Sequence, residues 1–416
     1  MRRGWRLSVL PGILLLPLLA GRAAGAAWDF TAPGDPARNW NVSASTGGTY
    51  DDNFFSTEGN RQSGFRSTSD IRLHANVPLD RLFVGGQYDY GIVYPHDVKL
   101  GGLDQSHTAT VSAEYTVNPL LTLDLGENFI SSLQPGLVLT PNNVPVTIAS
   151  GGNYIYDSLN GGASYALSPR WTLAVRGGWD IWRYQTASLA TNNDHEDYTA
   201  TMSALYGLDP RTTIGLNYQY AQDVFVAPGI NNGLNGYGNT VYLSATRRFN
   251  PRLSLALNGG YTIRNSDDGS QNTSPSGAGT VVYNYNVDSS ISLTVAQALT
   301  EASFGVTRSF SAQENTSFAL EVNHRISPRL RARADVTYVY SSFTAPLTPT
   351  VTVKPTEQAI TSNINVTYVF REWLSANVNY NYSELTSPKV DLGGTRASVV
   401  EPYARNQISV GITVTY

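Results

Sequence analysis

The chain has 416 residues, with 14% charged side chains, 25 tyrosines, 37 glycines and no cysteine. Without cysteine it can form no disulfide, no thiolate metal site and no lipoprotein anchor. Omitting residues 1–26 leaves 24 basic and 32 acidic residues, a formal charge of −8, which argues against nucleic-acid binding.

The N-terminal region has the layout of a cleavable secretory signal. Arg2, Arg3 and Arg6 precede an apolar run over 7–20, and small residues follow at 24–26. This layout predicts export, with cleavage of residues 1–26 between Ala26 and Ala27. We expect a short periplasmic segment over 27–39, too short for a folded plug, and then a single domain over 40–416.

Further along the chain, tight turns recur between alternating segments. Four turns read Asx/Ser-Pro-Arg, at 168–170, 209–211, 250–252 and 327–329, and related turns lie at 77–79, 118–120 and 370–372. Proline presets the first corner of a turn and cannot donate to a sheet ladder, so each turn predicts a β-hairpin. The commonest spacing between the turn prolines is 41 residues, which indicates a hairpin repeat.

Apolar and small polar residues alternate along these segments. Leu253, Leu255 and Leu257 occupy one parity of their segment, whereas Ser254 and Ala256 occupy the other. Each strand therefore has one apolar and one polar face. Strands of a soluble sandwich also alternate, but they usually have about 5–6 residues. The segments here have about 10–13 residues, which matches tilted strands that cross a bilayer.

The predicted fold is all-β, a transmembrane antiparallel up-and-down β-barrel with both termini in the periplasm. Sixteen strands are predicted at 40–50, 64–77, 82–94, 106–117, 120–130, 154–167, 171–184, 195–207, 212–222, 237–249, 252–264, 314–326, 329–342, 358–370, 373–384 and 404–416. A further pair, 279–287 and 291–301, makes the 18 strands that we prefer. The alternative is a 16-stranded barrel with a long external hairpin. A barrel of 16 or 18 strands has a lumen too wide for side chains to fill, which predicts an aqueous channel.

Tyrosines cluster where the predicted strands meet loops. They lie at 88, 90 and 94, at 218 and 220, at 338 and 340, and at 380 and 382. Such clusters are typical of the interfacial girdles of outer-membrane barrels. The ordinary β-propensity of tyrosine is the alternative explanation.

Two segments carry a family resemblance. Tyr50-Asp51-Asp52-Asn53-Phe54-Phe55 follows the first predicted strand, and Tyr403-Ala404-Arg405-Asn406 begins the last, which ends at Tyr416. With the tyrosine-rich strands, they resemble the β-barrel porin family of Gram-negative outer membranes over about residues 40–416. The resemblance implies an outer-membrane barrel, sometimes associated with exopolysaccharide export, and specifies no substrate. Tyr416 is similar to the terminal aromatic signal that barrel-assembly machinery recognises.

Expected partners are outer-membrane lipid and lipopolysaccharide, the barrel-assembly machinery and further copies of the chain, a trimer by analogy with general porins. No cofactor and no nucleic acid are expected.

The candidate selectivity residues are charged residues on the polar parity, near the middle of the strands. They are Glu114, Asp124, Arg176, Glu321, Arg333 and Asp335. One interpretation assigns these charges no specific function. Arg or Lys facing lipid at mid-depth costs about 2–4 kcal/mol, so any membrane barrel places such charges on its inner face. The functional interpretation is that acidic and basic clusters on opposite walls set a transverse field that selects solutes.

Two loops contain further candidates. The apolar loop over 131–153 predicts either a constriction folded into the lumen or an external loop packed on its neighbours. Asp51, Asp52 and Asn53 supply oxygen ligands that suit a hard cation. The same residues also initiate turns, and we predict no metal site.

For function, the sequence favours a channel over an enzyme. The five histidines have no metal-ligand spacing, and no Ser-His-Asp triad is evident. We predict a porin-like channel in the outer membrane for passive diffusion of small hydrophilic solutes. The alternative is a barrel for exopolysaccharide export or surface organisation that works with a periplasmic partner.

Overall fold

Long antiparallel strands make up most of the structure. The computed structural model describes residues 39–416 except 60, 97–102, 133–136, 140–144, 148–152, 186, 188–189, 191–193, 227–234, 268, 302–309, 347–355, 388–389, 392–395 and 398–401. Its long strands are β1 (Trp40–Asp51), β2 (Gly64–Pro78), β3 (Leu82–Pro95), β4 (Asp104–Asn118), β5 (Leu121–Ser132), β6 (Tyr154–Ala166), β7 (Trp171–Tyr184), β8 (His195–Asp209), β9 (Thr212–Phe225), β10 (Gly236–Asn250), β11 (Leu253–Ser266), β12 (Gln271–Asn286), β13 (Ser289–Glu301), β14 (Phe310–Arg325), β15 (Leu330–Pro346), β16 (Thr356–Arg371), β17 (Leu374–Thr386) and β18 (Tyr403–Thr415).

Each long strand pairs with its neighbours in sequence, and the first pairs with the last. The β1–β18 ladder runs from Ser43 opposite Thr415 to Asp51 opposite Gln407. The sheet is therefore a closed 18-stranded antiparallel up-and-down barrel, as predicted. Two short ribbons stand apart from this sheet, Leu137–Leu139 with Pro145–Thr147 and Val390–Asp391 with Arg396–Ala397.

The extra hairpin that distinguishes 18 strands from 16 is present as β12 and β13. Its two-residue turn contains Asp288, whose φ of 55° lies in the left-handed region. β12 begins at Gln271, eight residues before the predicted start. The sequence pattern hides this extension because Pro275 interrupts it. Pro275 lies opposite Tyr261 of β11 but beyond the last β12–β13 pair, Gly277 with Gln297. It can therefore lie on a free edge, where a missing N–H costs no ladder bond.

The connections differ between the two ends of the barrel. Eight connections of two to four residues join strands at one end, whereas the nine connections at the other end have between 4 and 21 residues. Five of the short turns are stabilised by the Asn, Asp or Ser that precedes the turn proline. Asn118 Oδ1 accepts from the backbone N–H of Leu120 and Leu121, at 2.8 and 3.0 Å, and Asn250 Oδ1 accepts from Arg252 and Leu253, at 2.8 and 2.9 Å. These side-chain bonds explain the recurring turn sequence.

The barrel has an apolar outer face and a polar inner face. On β10, Leu243 is 65% exposed and continues a row with Val241, whereas Thr240 on the opposite parity is buried. Thr240 Oγ1 lies 2.9 Å from Thr262 Oγ1 of β11, which continues the polar face onto the next strand. The predicted parity is thus present in the structure.

Aromatic side chains form two bands on the outer face. The band near the short turns includes Trp40, Trp171, Tyr283, Trp373 and Tyr416, and the band near the long connections includes Tyr50, Phe65, Tyr94, Tyr198, Tyr237 and Tyr340. Ten residues separate Trp40 from Tyr50 along β1, and eight separate Trp171 from the exposed Trp179 along β7. At about 3.3 Å per residue and a tilt of about 40°, this corresponds to about 20–25 Å.

No helix within the described ranges is long and apolar enough to cross a membrane.

Candidate functional site: the inner wall of the barrel

Three of the predicted selectivity residues form a first charged cluster on β4, β5 and β7. Glu114 lies directly opposite Asp124, and the Arg176 guanidinium donates to Asp124 Oδ1 at 3.0 Å. Gly162 of β6 lies between the last two, and a Cβ there would be 2.9 Å from Asp124 Oδ1. Glycine therefore lets this ion pair close across an intervening strand. Arg176 is 51% exposed, so the pair is solvated.

The other three predicted residues form a second charged cluster on β14 and β15. Glu321 lies directly opposite Asp335. Arg333 lies between the two carboxylates, with Nη2 at 3.6 Å from Glu321 and Nε at 3.7 Å from Asp335. Asn323 Nδ2 donates to Glu321 Oε1 at 2.7 Å.

The two charged clusters lie on opposite walls but do not separate the two signs of charge. β5 and β14 are nine positions apart in a ring of 18 strands. Each cluster contains two acids and one arginine, so these six residues do not set an acidic wall against a basic one. We predicted that these residues lie near the middle of their strands. All six instead lie off centre, three to five residues from the short-turn ends. Their role in selectivity stays a prediction.

The inner wall near the long connections is lined by an aromatic patch that sequence reasoning missed. Its members are Ile130, Tyr154, Tyr156, Trp182 and Tyr184 on β5, β6 and β7, all buried. Tyr156 and Trp182 have ring centroids 4.3 Å apart. Ala190, from the connection between β7 and β8, packs against the patch, so this connection reaches the inner wall. The available signal was parity, because these rings share a face with Arg176 and Asp124.

Beside the aromatic patch, three carboxylates form a row across adjacent strands. Asp197 of β8 lies directly opposite both Asp180 of β7 and Asp223 of β9. Like charges placed opposite each other are destabilising. Two basic side chains border the row, since Arg264 Nη1 lies 2.5 Å from Asp223 and His195 Nε2 lies 3.5 Å from Asp197. Among the described residues, no group of three His, Cys, Asp or Glu has a geometry that could hold a metal ion.

The two segments that carry the family resemblance meet where the barrel closes. Asp51 accepts from Arg405 Nη2 at 2.5 Å and from Gln407 Nε2 at 2.9 Å, and Arg66 Nη2 lies 3.5 Å away. We call Asp51, Arg66, Arg405 and Gln407 the seam cluster. Asp51 is 0% exposed, and guanidinium groups occupy the positions that a cation would need.

The two neighbours of Asp51 in the motif also bind across the seam. The Asp52 carboxylate accepts from Asn406 N at 2.6 Å and from its Nδ2 at 2.7 Å. Asn53 Nδ2 donates to the carbonyl oxygens of Thr57 and Ala404 at 2.8 and 2.9 Å. The motif therefore closes the barrel and shapes the following turn, which agrees with the turn interpretation rather than the cation interpretation.

The predicted constriction over 131–153 lies mostly outside the described residues. Within it the structure describes the ribbon Leu137–Leu139 with Pro145–Thr147, and the hypothesis of an inward fold stays a prediction.

One Ser-His pair does form on the outer face. Ser67 Oγ of β2 lies 2.9 Å from His96 Nε2, beside the rings of Phe65 and Tyr94. A catalytic triad also needs a group that orients the other imidazole nitrogen. Within the described part of the chain no carboxylate forms an ion pair with His96. That the chain is not an enzyme stays a prediction.

Comparisons with known proteins find distant similarity to solved structures and none in sequence. No protein family's sequence profile and no curated protein matches the chain. Among solved structures it is similar to the outer membrane protein opdK from Pseudomonas aeruginosa, at 11% identity and a TM-score of 0.45, covering 91% of this chain and 99% of that one. It is also similar to the siderophore receptor PirA from Pseudomonas aeruginosa, at 11% identity and a TM-score of 0.43, covering 90% of this chain and 80% of that one. A third similar structure is OccAB4 of Acinetobacter baumannii, at 11% identity and a TM-score of 0.42, covering 91% of this chain and 99% of that one.

Proposed function

We propose that this chain forms a channel in the outer membrane of a Gram-negative bacterium, through which small hydrophilic solutes diffuse passively. One observation carries the proposal: a closed 18-stranded barrel is apolar outside and polar inside.

The outer face suits a bilayer. In lipid, each backbone N–H and C=O must be satisfied within the protein, and a closed barrel does this between strands without leaving an edge. The two aromatic bands bound an apolar zone of about 20–25 Å, close to the apolar band of about 25 Å in outer-membrane barrels. The tyrosines predicted as girdle residues all lie on the outer parity, which favours the girdle interpretation over β-propensity alone.

The inner dimensions suit water and small solutes. Eighteen strands about 4.8 Å apart and tilted by about 40° form a ring roughly 36 Å across at the backbone. Side chains cannot fill a ring of this width. The aromatic patch and Ala190 reduce the opening near the long connections, so the solutes we propose are small.

We place the long connections outside the cell and the short turns in the periplasm, as in other outer-membrane barrels. This orientation puts the chain termini in the periplasm. Tyr416, the proposed assembly signal, lies at the same end, with its ring centroid 6.0 Å from that of Trp40.

Single-channel recording in planar bilayers tests the proposal. Purified, refolded protein should produce stepwise conductance in potassium chloride, and liposomes that contain it should swell in a small sugar. The same protein denatured by heat is the matched control. Bilayers that stay electrically silent at high protein load would contradict passive diffusion, and conduction only after addition of a periplasmic partner would favour the export alternative.

A further inference from the structure

The two ends of the barrel carry opposite net charge. We define the short-turn rim as the eight short connections with three strand residues on each side. This rim contains four acids and nine arginines, Arg81, Arg170, Arg211, Arg248, Arg252, Arg325, Arg329, Arg331 and Arg371. The long-loop rim, defined in the same way for the other nine connections, has sixteen acidic and ten basic residues in its sequence. The chain is thus basic at one end although the mature sequence is acidic.

The arginines of the short-turn rim are mostly left without acidic partners. In the described part of the chain, Arg325 is the one rim arginine within 4 Å of a carboxylate, at 2.7 Å from Asp288. Arg325 lies directly opposite Arg331, and like charges in this position are destabilising. Stability of the fold therefore does not account for this accumulation of positive charge.

Some rim arginines face the lumen. Arg248 pairs with Ser254, on the parity of Thr240, and Arg331 shares its parity with Arg333. Arg247, the neighbour of Arg248, instead continues the outer row of Val241 and Leu243, and its guanidinium lies 5.2 Å from the Phe249 ring. Adjacent arginines on one strand thus point to opposite sides of the wall.

We propose that this axial charge gradient makes the channel rectify, with anionic solutes entering preferentially from the short-turn mouth. The inference rests on the proposed channel function. A basic mouth concentrates anions and an acidic mouth concentrates cations. When the long-loop side is electrically positive, anions enter through the basic short-turn mouth and cations enter through the acidic long-loop mouth. Each ion is then attracted by the mouth through which it enters, and the lumen fills with ions. The opposite voltage draws each ion from the mouth that repels it, and the lumen is depleted.

The size of the effect follows from screened electrostatics. The short-turn rim has an excess of five positive charges. At about 10 Å in water, five charges enrich anions about 3.6-fold in 0.1 M salt, where the Debye length is about 10 Å, and about 1.1-fold in 1 M salt. Rectification should therefore be clear at low salt and nearly absent at high salt.

The experiment records current at equal positive and negative voltages in 0.1 M and 1 M potassium chloride. Orientation in the bilayer is read from the variant Asp267→Cys, because the chain has no other cysteine and Asp267 belongs to a long-loop connection. A bulky maleimide polymer added to one chamber reduces conductance when that chamber faces the long loops. We expect larger conductance with the long-loop side positive at 0.1 M, and equal conductances at 1 M.

Two variants assign the effect to the rim. Arg248→Gln with Arg331→Gln removes two of the five excess charges, which should lower anion enrichment from about 3.6-fold to about 2.2-fold. Arg247→Gln, on the outer face, is the matched control and should leave rectification unchanged. Channels that conduct equally in both directions at 0.1 M would overturn the inference while leaving the channel function intact. Silent bilayers would instead contradict the channel function. An equal effect of both variants would also overturn the assignment.

Discussion

Removing Arg405 should destabilise the barrel far more than removing a solvated arginine of the inner wall. In the variant Arg405→Met, the fully buried Asp51 carboxylate loses its bonds to Nε and Nη2, at 3.1 and 2.5 Å. It keeps Gln407 at 2.9 Å and Arg66 at 3.5 Å. Breaking a buried ion pair by deleting one partner costs about 3–5 kcal/mol, because the remaining charge is left buried and undercompensated.

The matched control is Arg176→Met, which removes an arginine that also contacts one aspartate on the inner wall. Arg176 is 51% exposed and makes one bond to Asp124 at 3.0 Å. Exposed pairs of this kind contribute about 0–1 kcal/mol. The structure therefore predicts a clear difference between two substitutions of the same chemistry.

The free energy of unfolding should be measured by urea titration in detergent micelles, followed by tryptophan fluorescence and analysed by linear extrapolation. The variant Asp51→Asn with Arg405→Met should lose less than the sum of its two single variants, because it leaves neither member of the pair charged. Equal losses for Arg405→Met and Arg176→Met would refute the argument from burial.

Two further predictions test the packing and the topology. The variant Gly260→Ala should lose about 1–3 kcal/mol and fold in lower yield, because its Cβ would lie 2.0 Å from the carbonyl oxygen of Val241. Gly259→Ala is the control, since nothing lies within 4 Å of its Cβ, and similar folded yields on unheated gels would contradict the prediction. On intact cells, an impermeant maleimide should label Asp267→Cys but spare Val287→Cys. Val287 is 73% exposed in its short turn, so labelling there would reverse the proposed orientation.

The strands and their faces could be predicted because their causes are local. Alternation over a dozen residues specifies which side chains share a face, and the turns that end in Pro-Arg specify where strands reverse. Consecutive pairing then follows from the hairpin repeat. The extent of β12 could not be predicted, because Pro275 is acceptable only where the β12–β13 ladder has already ended.

The lumen was predicted less completely because its contacts join distant parts of the chain. Parity identified Asp124 and Glu321 as inward residues, but not that each would have an arginine of its own cluster within 4 Å. The Asp51–Arg405 pair spans 354 residues and depends on the register of the last ladder. Contacts of this kind are set by strand number and closure, which no local pattern contains.

The β1–β18 ladder also constrains the order in which the barrel can form. Of the barrel strands β1 is synthesised first, yet one of its two partners is β18, so one edge of β1 stays unpaired until β18 has been made. An unpaired strand edge is a template for aggregation with other chains. Contacts at such long sequence separation also slow folding. The seam cluster therefore forms only when β18 is present, and a chain that lacks Tyr403–Thr415 would leave two free strand edges, on β1 and β17.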